Sequence, residues 1–417
     1  MSECVKSAIK ACLIRGAFYV LLTMAVRLMP SALGQSQVRE LTRNENPTGV
    51  VCGGGWSAGP DMPSTGVRMV GIYFWPNGKF YAMGGRSMDG VGNDFTHPFE
   101  YDPASDTWAI KSATFPDNQV SDMACGLLTD SGTPYIYCVG GSAGGQAIAT
   151  DRLFRYNPVT DVIENIAAPW PGDSNGITLP GGYTVCNNKL YLLGGFQIDT
   201  GMIDTIWEFI PTSNVWVLKN AVLPVARGYI PTTAIFSVIY TGGGSDWNGT
   251  TLVDTNDSFR YDPIADSITT IPNIPRATGE TRALTFGFPK FFPDMLVMGG
   301  GRTPPNPSSD IDVYFPDFNG WKDGGDFITP RRNFATDTDG GPPCSGCPGR
   351  IWVAGGYGSD GKPLSSMEIM CVPGPPTQSP SPTPTPITPT PTPTVTPRAT
   401  PRPRPTPHAR PTPAAHP

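Results

Sequence analysis

Histidine is nearly absent from this chain. Three residues in 417 carry an imidazole, His97, His408 and His416, and the last two lie in the final ten positions. A Ser-His-Asp triad would have to use His97, which stands in a loop before Pro98, and a metal centre built on paired imidazoles finds no second one in the body of the chain. Long apolar runs are also scarce. The longest, Gly16 to Val26, is too short to span a bilayer and carries Arg27 behind it. No Walker or dinucleotide fingerprint follows a strand and opens a helix. Between residues 52 and 372 no long 3.6-residue apolar periodicity appears, which excludes a helical body.

Charge is sparse and unevenly placed. Charged residues make up 15% of the chain, and the formal net charge is −6. Lys6, Lys10, Arg15 and Arg27 outweigh Glu3 near the start. From Pro373 onward there is no Asp or Glu, only Arg398, Arg402, Arg404 and Arg410. The remaining body is therefore strongly acidic, and nucleic acid is an unexpected partner for it.

Glycine, by contrast, is abundant and periodic. Six apolar runs end in a glycine doublet at intervals of about fifty-five residues: Gly84-Gly85, Gly140-Gly141, Gly194-Gly195, Gly242-Gly243, Gly299-Gly300 and Gly355-Gly356. After the first five comes an aromatic, Tyr101, Tyr156, Phe209, Tyr261 or Tyr314, and seven residues later Trp108, Ile163, Trp216, Ile268 or Trp321. Turn signals such as Tyr101-Asp102-Pro103 separate short β-rich segments, and linkers such as Leu223-Pro224-Val225-Ala226-Arg227 join one unit to the next. Each unit reads as four strands, and the chain as all-β.

The spacing of doublet, Tyr and Trp resembles the Kelch repeat over residues 52–372, in an exported bacterial type with a Pro/Thr-rich C-terminal tail. The resemblance implies a β-propeller like the galactose oxidase central domain, one repeat per four-stranded blade. Six blades are expected. The last unit lacks its Trp strand and Trp56 stands alone before Met62-Pro63, so the N-terminal strand around Trp56 should fill the sixth blade and close the ring. A galactose-oxidase-like copper site is not carried over, because its histidines are missing.

Residues 1–34 read as a secretory signal peptide cleaved after Gly34, 35–51 as an N-terminal extension, and 373–417 as a disordered polyproline II tail. The tail threonines are open to glycosylation, and its arginines to contact with an anionic surface. No membrane span should remain after cleavage, and the protein should be secreted, extracellular or periplasmic. Cysteine use agrees with export. Cys125 and Cys138 fall opposite each other in a hairpin turning at Ser131-Gly132, Cys52 and Cys371 should staple the ring, Cys344 and Cys347, a C-x-x-C pair in one loop, should form a third disulfide, and Cys186 is left as a free thiol. No second cysteine pair completes a zinc site at Cys344 and Cys347, and no βαβ pattern makes them redox-catalytic. Asp337 and Asp339 before Gly340 open like a calcium loop, but position 348, where the closing carboxylate belongs, is Pro. No cofactor or metal is expected.

In a four-stranded blade the loop after the second strand and the loop between blades open on one face. That face should carry Arg68, Arg227, Arg276, Arg282, Arg331 and Arg332, with Asp246, Trp247 and Glu280. Arg68, Arg227, Arg282, Arg331, Trp247 and Asp246 form the candidate ligand site, suited to an anionic glycan or a carboxylate-bearing peptide at the cell surface. The leading functional expectation is a surface-held or secreted binding module for protein or carbohydrate. The alternative is a sugar epimerase resembling periplasmic six-bladed Kelch sialic acid mutarotases, with Glu280 and Arg282 as catalytic candidates.

Overall fold

A computed structural model describes residues 54–287, 293–304, 306–340 and 349–372. Among these, strands dominate, and the one helical element is a single 3₁₀ turn at Pro171–Asp173. Strand β1 (Trp56–Ala58) is followed by five blades of consecutive antiparallel strands. Blade I holds β2 (Val70–Phe74), β3 (Lys79–Met83), β4 (Phe99–Asp102) and β5 (Thr107–Ile110). Blade II holds β6 (Ala124–Asp130), β7 (Thr133–Val139), β8 (Leu153–Asn157) and β9 (Val162–Ile166). Blade III holds β10 (Thr178–Cys186), β11 (Lys189–Gln197), β12 (Gly201–Ile210) and β13 (Val215–Val222). Blade IV holds β14 (Thr232–Ile235), β15 (Val238–Trp247), β16 (Leu252–Asp262) and β17 (Ser267–Thr270). Blade V holds β18 (Ala283–Phe286), β19 (Asp294–Gly300), β20 (Ser308–Phe315) and β21 (Gly320–Asp326). Blade VI holds β22 (Ala335–Thr338), β23 (Gly349–Ala354) and β24 (Met367–Val372), and its outermost place is taken by β1, with Trp56 opposite Met370.

The innermost strands β2, β6, β10, β14, β18 and β22 touch in a closed cycle, so the sheets form a ring. Closure by the strand around Trp56 is therefore as the sequence implied, and no blade is left with a missing strand.

The glycine doublets sit where blades meet. The first glycine of each is left-handed, as at Gly84 (φ 64°), and a Cβ there would lie 2.2 Å from the carbonyl oxygen of Val120 in the linker to the next blade. In five of the six blades the second donates its N–H to that linker, for example Gly85 to Val120 at 2.8 Å and Gly356 to Gly66 at 2.7 Å. Only a residue without Cβ permits both. In blade IV the functional pair is Gly243-Gly244, one residue beyond the doublet marked from the sequence. Gly243 has φ 79° and Gly244 donates to Thr278 at 2.7 Å.

The spaced aromatics have distinct duties. Tyr101, Tyr156, Tyr261 and Tyr314 are buried on the third strands, and each hydroxyl bonds a left-handed turn residue five positions on: Asp106, Asp161, Asp266 and Asn319, at 2.6–2.9 Å. The indoles of Trp108, Trp216 and Trp321 on the fourth strands donate across the blade boundary to the carbonyls of Pro60, Ala168 and Pro272. A net contribution of about 1 kcal/mol for each such bond is added to the apolar burial of the ring. Cys125 pairs with Cys138 in register, Cα–Cα 4.1 Å, and is disulfide-bonded to it. Cys186 is buried and free, its thiol pushed up to about 11 by burial and by Asp262 and Glu208. Cys371 is disulfide-bonded, to a partner outside the described residues. Cys52, Cys344 and Cys347 lie outside them, as do the expected signal peptide of residues 1–34 and the expected tail of residues 373–417.

A candidate ligand cup at the channel mouth

Four interblade linkers make a short bridge with the residue beyond the glycine pair: Val67 with Arg86, Ser121 with Ser142, Gly228 with Ser245 and Arg332 with Tyr357. The residue following the bridge then turns left-handed: Arg68 (φ 58°), Asp122 (59°), Tyr229 (48°) and Asn333 (52°), with Glu280 (53°) in the matching place of blade V. Five side chains of different chemistry are thus thrown over one end of the channel. The backbone runs on around it: the N–H of Asn333 donates to Glu280 O at 2.7 Å, that of Arg68 to Asn333 O at 2.7 Å, and that of Asp122 to Arg68 O at 3.1 Å. Left-handed geometry costs a non-glycine residue about 1–3 kcal/mol, which this hydrogen-bonded collar must offset. In blade III the position falls to Pro180, paired with Gly195. Proline cannot take a positive φ, so β10 continues unkinked for nine residues.

Beneath the collar is a throat of about 50 Å³ lined by Arg68, Asp122, Tyr183, Tyr229, Glu280, Arg282 and Asn333. Above it opens a cup of about 480 Å³ that shares Arg68, Asp122 and Tyr229 with the throat. The cup is further lined by Arg86, Arg302, Gln146, Asp199, Phe196 and Trp247. One wall is aromatic: Phe196 stands 5.6 Å from Trp247 and 5.9 Å from Tyr229, ring centre to ring centre. Trp247 is half-buried.

The arginines of the mouth are mostly held by carboxylates. Arg68 pairs with Asp122 at 2.7 Å, and Arg86 with Asp89 at 3.1 Å. Glu280 is gripped from two sides, by Arg302 at 2.7 Å and Arg332 at 2.6 Å. Burial opposes ionisation of Glu280, and the guanidiniums of Arg332, Arg302 and Arg68 outweigh it, holding the carboxyl below its usual range. Arg282 differs. It lies over the ring of Tyr183, 4.2 Å from the centroid, and donates to the Tyr183 hydroxyl at 2.5 Å, crossing from blade V to blade III. Deeper on the channel side, burial pushes Asp337 up to about 6, with its carboxylate accepting the backbone N–H of Tyr73 at 2.6 Å.

Of the residues expected at this face, the structure brings Arg68, Arg282, Trp247 and Glu280 to the throat and cup. Arg227 and Arg331 are not there. Arg331 is fully buried, bonded to Gly355 O, Ser366 O and Glu368 of blade VI. Arg227 is buried against Asp257 at 2.6 Å, and Asp246, half exposed, lies 3.5 Å from it. Arg276 does the same at the next junction, binding Asp312 and Gly299 O. These three occupy a repeated linker position whose guanidinium cements one blade to the next, because it meets a carboxylate on the third strand of the following blade, Asp257, Asp312 or Glu368. The mouth position comes two residues later at Tyr229 and Asn333, which sequence reasoning passed over, together with Asp122, Tyr183 and Phe196. The residue after a doublet was the available signal for Arg86, Ser142, Phe196 and Tyr357; Ser245 and Arg302 come one glycine later, after Gly244 and Gly301.

Comparison with known proteins places these observations. The chain is 24% identical over 238 residues to the Kelch-like protein terF of Aspergillus terreus, covering 54% of this chain and 48% of that protein. It is 31% identical over 136 residues to Kelch-like protein 35 of Mus musculus, covering 32% of this chain and 20% of that one. The fold is a six-bladed Kelch-type propeller. The chain spans about half the length of terF and a fifth of the mouse protein. No family model matches it. Among solved structures, that of YjhT superposes with a TM-score of 0.56 at 14% identity, covering 74% of this chain and 95% of that one, a likeness of fold alone. A Kelch propeller supports a binding or recognition role in general. No helix among the described residues is long and apolar enough to cross a membrane.

Proposed function

We propose that this protein is a glycan-recognition module whose cup at the channel mouth holds a sugar. One observation carries the reading: the aromatic wall of Phe196, Trp247 and Tyr229 stands in a cup whose lining also offers Arg, Asp, Gln and Thr side chains beside Leu179, Ile198 and Leu252. A pyranose has an apolar face and a polar rim, and this cup offers a partner for each. Titration of the protein with a panel of oligosaccharides, followed by calorimetry and Trp fluorescence, tests it. Binding that is lost in Trp247→Ala supports the cup; binding that ignores that substitution places the ligand elsewhere.

The mutarotase reading asks Glu280 to move a proton. A carboxylate held ionised between two guanidiniums suits an anchoring role better than proton transfer. Asp337, raised to about 6 by burial and near enough to Arg282 to feel its charge, has a range that suits acid–base work, and a mutarotation assay on Asp337→Asn tests that second reading. Export belongs to the same proposal, supported by the N-terminal leader and the Cys125–Cys138 bridge. N-terminal sequencing of mature protein beginning at Gln35 would support it, and a retained leader would count against it.

A further inference from the structure

The sequence holds two Asn-x-Ser/Thr triplets whose middle residue is not proline, Asn248-Gly249-Thr250 and Asn256-Asp257-Ser258, and both fall in blade IV. Such a triplet accepts an N-linked oligosaccharide where its amide and its hydroxyl can be reached together. The fold treats the two in opposite ways. Asn248 to Thr251 form the crown of the hairpin between β15 and β16, beyond the last strand pair, Trp247 with Leu252. Asn248, Gly249 and Thr250 are all exposed, and a Cβ built on Gly249 would meet nothing within 4 Å. The Asn248 Oδ1 accepts the N–H groups of Thr250 at 3.0 Å and Thr251 at 2.9 Å, which fixes the amide plane. Among the described residues the Asn248 Nδ2 and the Thr250 hydroxyl bond to nothing and are left for solvent. Asn256 lies instead within β16. The hydroxyl of its Ser258 is buried, accepting the N–H of Ile274 at 3.0 Å and donating to Asn256 O at 3.2 Å. Presenting that triplet to an enzyme means pulling β16 away from the linker that follows blade IV.

Resting on the export reading above, we propose that Asn248 is the acceptor of an N-linked oligosaccharide carried on the lip of the cup. The donor is an oligosaccharide on a lipid diphosphate. A bond from the sugar C1 to Asn248 Nδ2 forms as the C1–O bond to the diphosphate breaks. The lipid diphosphate leaves with the electron pair, one amide proton is released to water, and nothing is oxidised or reduced. The hairpin crown suits this transfer, because its four residues can enter an active site while the ladder below keeps its pairs. The attached sugar also finds room. Trp247, Thr250, Thr251 and Leu252 line the cup, whereas Asn248 and Gly249 stand outside that lining.

The test expresses the full chain, with its own leader, in a secretory host that carries an oligosaccharyltransferase. Intact mass is read before and after an amidase that cleaves the sugar–asparagine bond, and peptide mapping locates the modified residue. The secreted chain should lose the mass of one oligosaccharide to the amidase, with the sugar on Asn248 and Asn256 bare. That mass should be absent in Asn248→Gln and in Thr250→Ala, which keeps the amide and removes only the hydroxyl, and it should be retained in Asn256→Gln. All three substituted residues are exposed, so the melting curves of the variants should overlay that of the unmodified parent. A secreted chain, freed of its leader, in which Asn248 is bare overturns the site. So does one in which Asn256 carries as much oligosaccharide as Asn248, because the fold then selects neither. A chain that keeps its leader and stays inside the cell removes the export reading and the acceptor with it.

Discussion

Arg331 and Arg282 flank blade V, one in the linker that leaves it and one at the head of its inner strand, and the chain uses them in opposite ways. Arg331 is wholly buried and directs its donors to Gly355 O, Ser366 O, Thr329 O and Glu368, whose carboxylate also receives the N–H groups of Ile328 and Thr329. Arg282 reaches across the channel to a tyrosine and keeps its Nε unbonded. The same side chain is a structural tie where carbonyls and a carboxylate converge on it, and at the channel throat it is held by an aromatic face and a hydroxyl alone. An arginine's surroundings, and not its presence near a channel, decide which role it plays.

The comparison breaks most visibly in stability. Arg331→Ala leaves Glu368 buried without its partner and should cost about 3–5 kcal/mol, lowering the melting temperature by about 6–15 °C in calorimetry. Arg282→Gln, which strands no carboxylate, should stay within about 1 kcal/mol of the parent. If both substitutions lower the melting temperature equally, the distinction between the two arginine settings fails.

A smaller effect concerns pH. Asp337 is raised from the ordinary carboxyl range to about 6 by burial, against the N–H groups of Tyr73 and Thr338 and the charge of Arg282. A carboxyl whose folded pKa lies above its unfolded value binds its proton more tightly when folded, so its contribution favours folding below about pH 4 and is lost as pH rises through about 6. Denaturant titrations at pH 5 and pH 8 should show a loss on the order of 1–2 kcal/mol that flattens in Asp337→Asn; an identical slope in both proteins counts against it.

The smallest expected difference lies between two tryptophans. Trp216→Phe removes an indole bond to Ala168 O across the blade II–III boundary and should cost about 1 kcal/mol of stability without touching the cup. Trp247→Phe, whose indole bonds nothing across a boundary, should change stability by less than about 0.5 kcal/mol and show its effect in sugar binding alone. Chemical denaturation of the pair, read beside calorimetric titration, separates them.

Much of this site could be read in the chain, and the remainder has a definite reason for hiding. The residues after the doublets stand at a constant offset, because the doublet and the bridge beyond it are rigidly coupled by the blade junction. Arg86 and Phe196 were accessible from that rule, whereas Arg302 is displaced by one residue because a third glycine, Gly301, follows its doublet. The collar residues precede the same doublets by a variable distance, sixteen residues from Arg68 to Gly84 but twenty-two from Asn333 to Gly355, since the first hairpin of each blade differs in length. No fixed spacing could find Asp122, Tyr229 or Asn333. Arg227 and Arg331 were drawn to the mouth by proximity in sequence, and only two residues separate them from the positions that reach it.

The sequence by itself determined the number of blades, the closure of the ring through Trp56, the pairing of Cys125 with Cys138, and the glycines at the junctions. These depend on local turns and on a period the chain repeats. Tertiary structure alone decided which arginines are ties and which reach the channel, that Glu280 is held by two guanidiniums, and that Arg282 of blade V lies on Tyr183 of blade III. Those outcomes depend on which carbonyls and carboxylates of other blades come within about 3 Å of a given guanidinium, a hydrogen-bond distance that no spacing along one chain encodes.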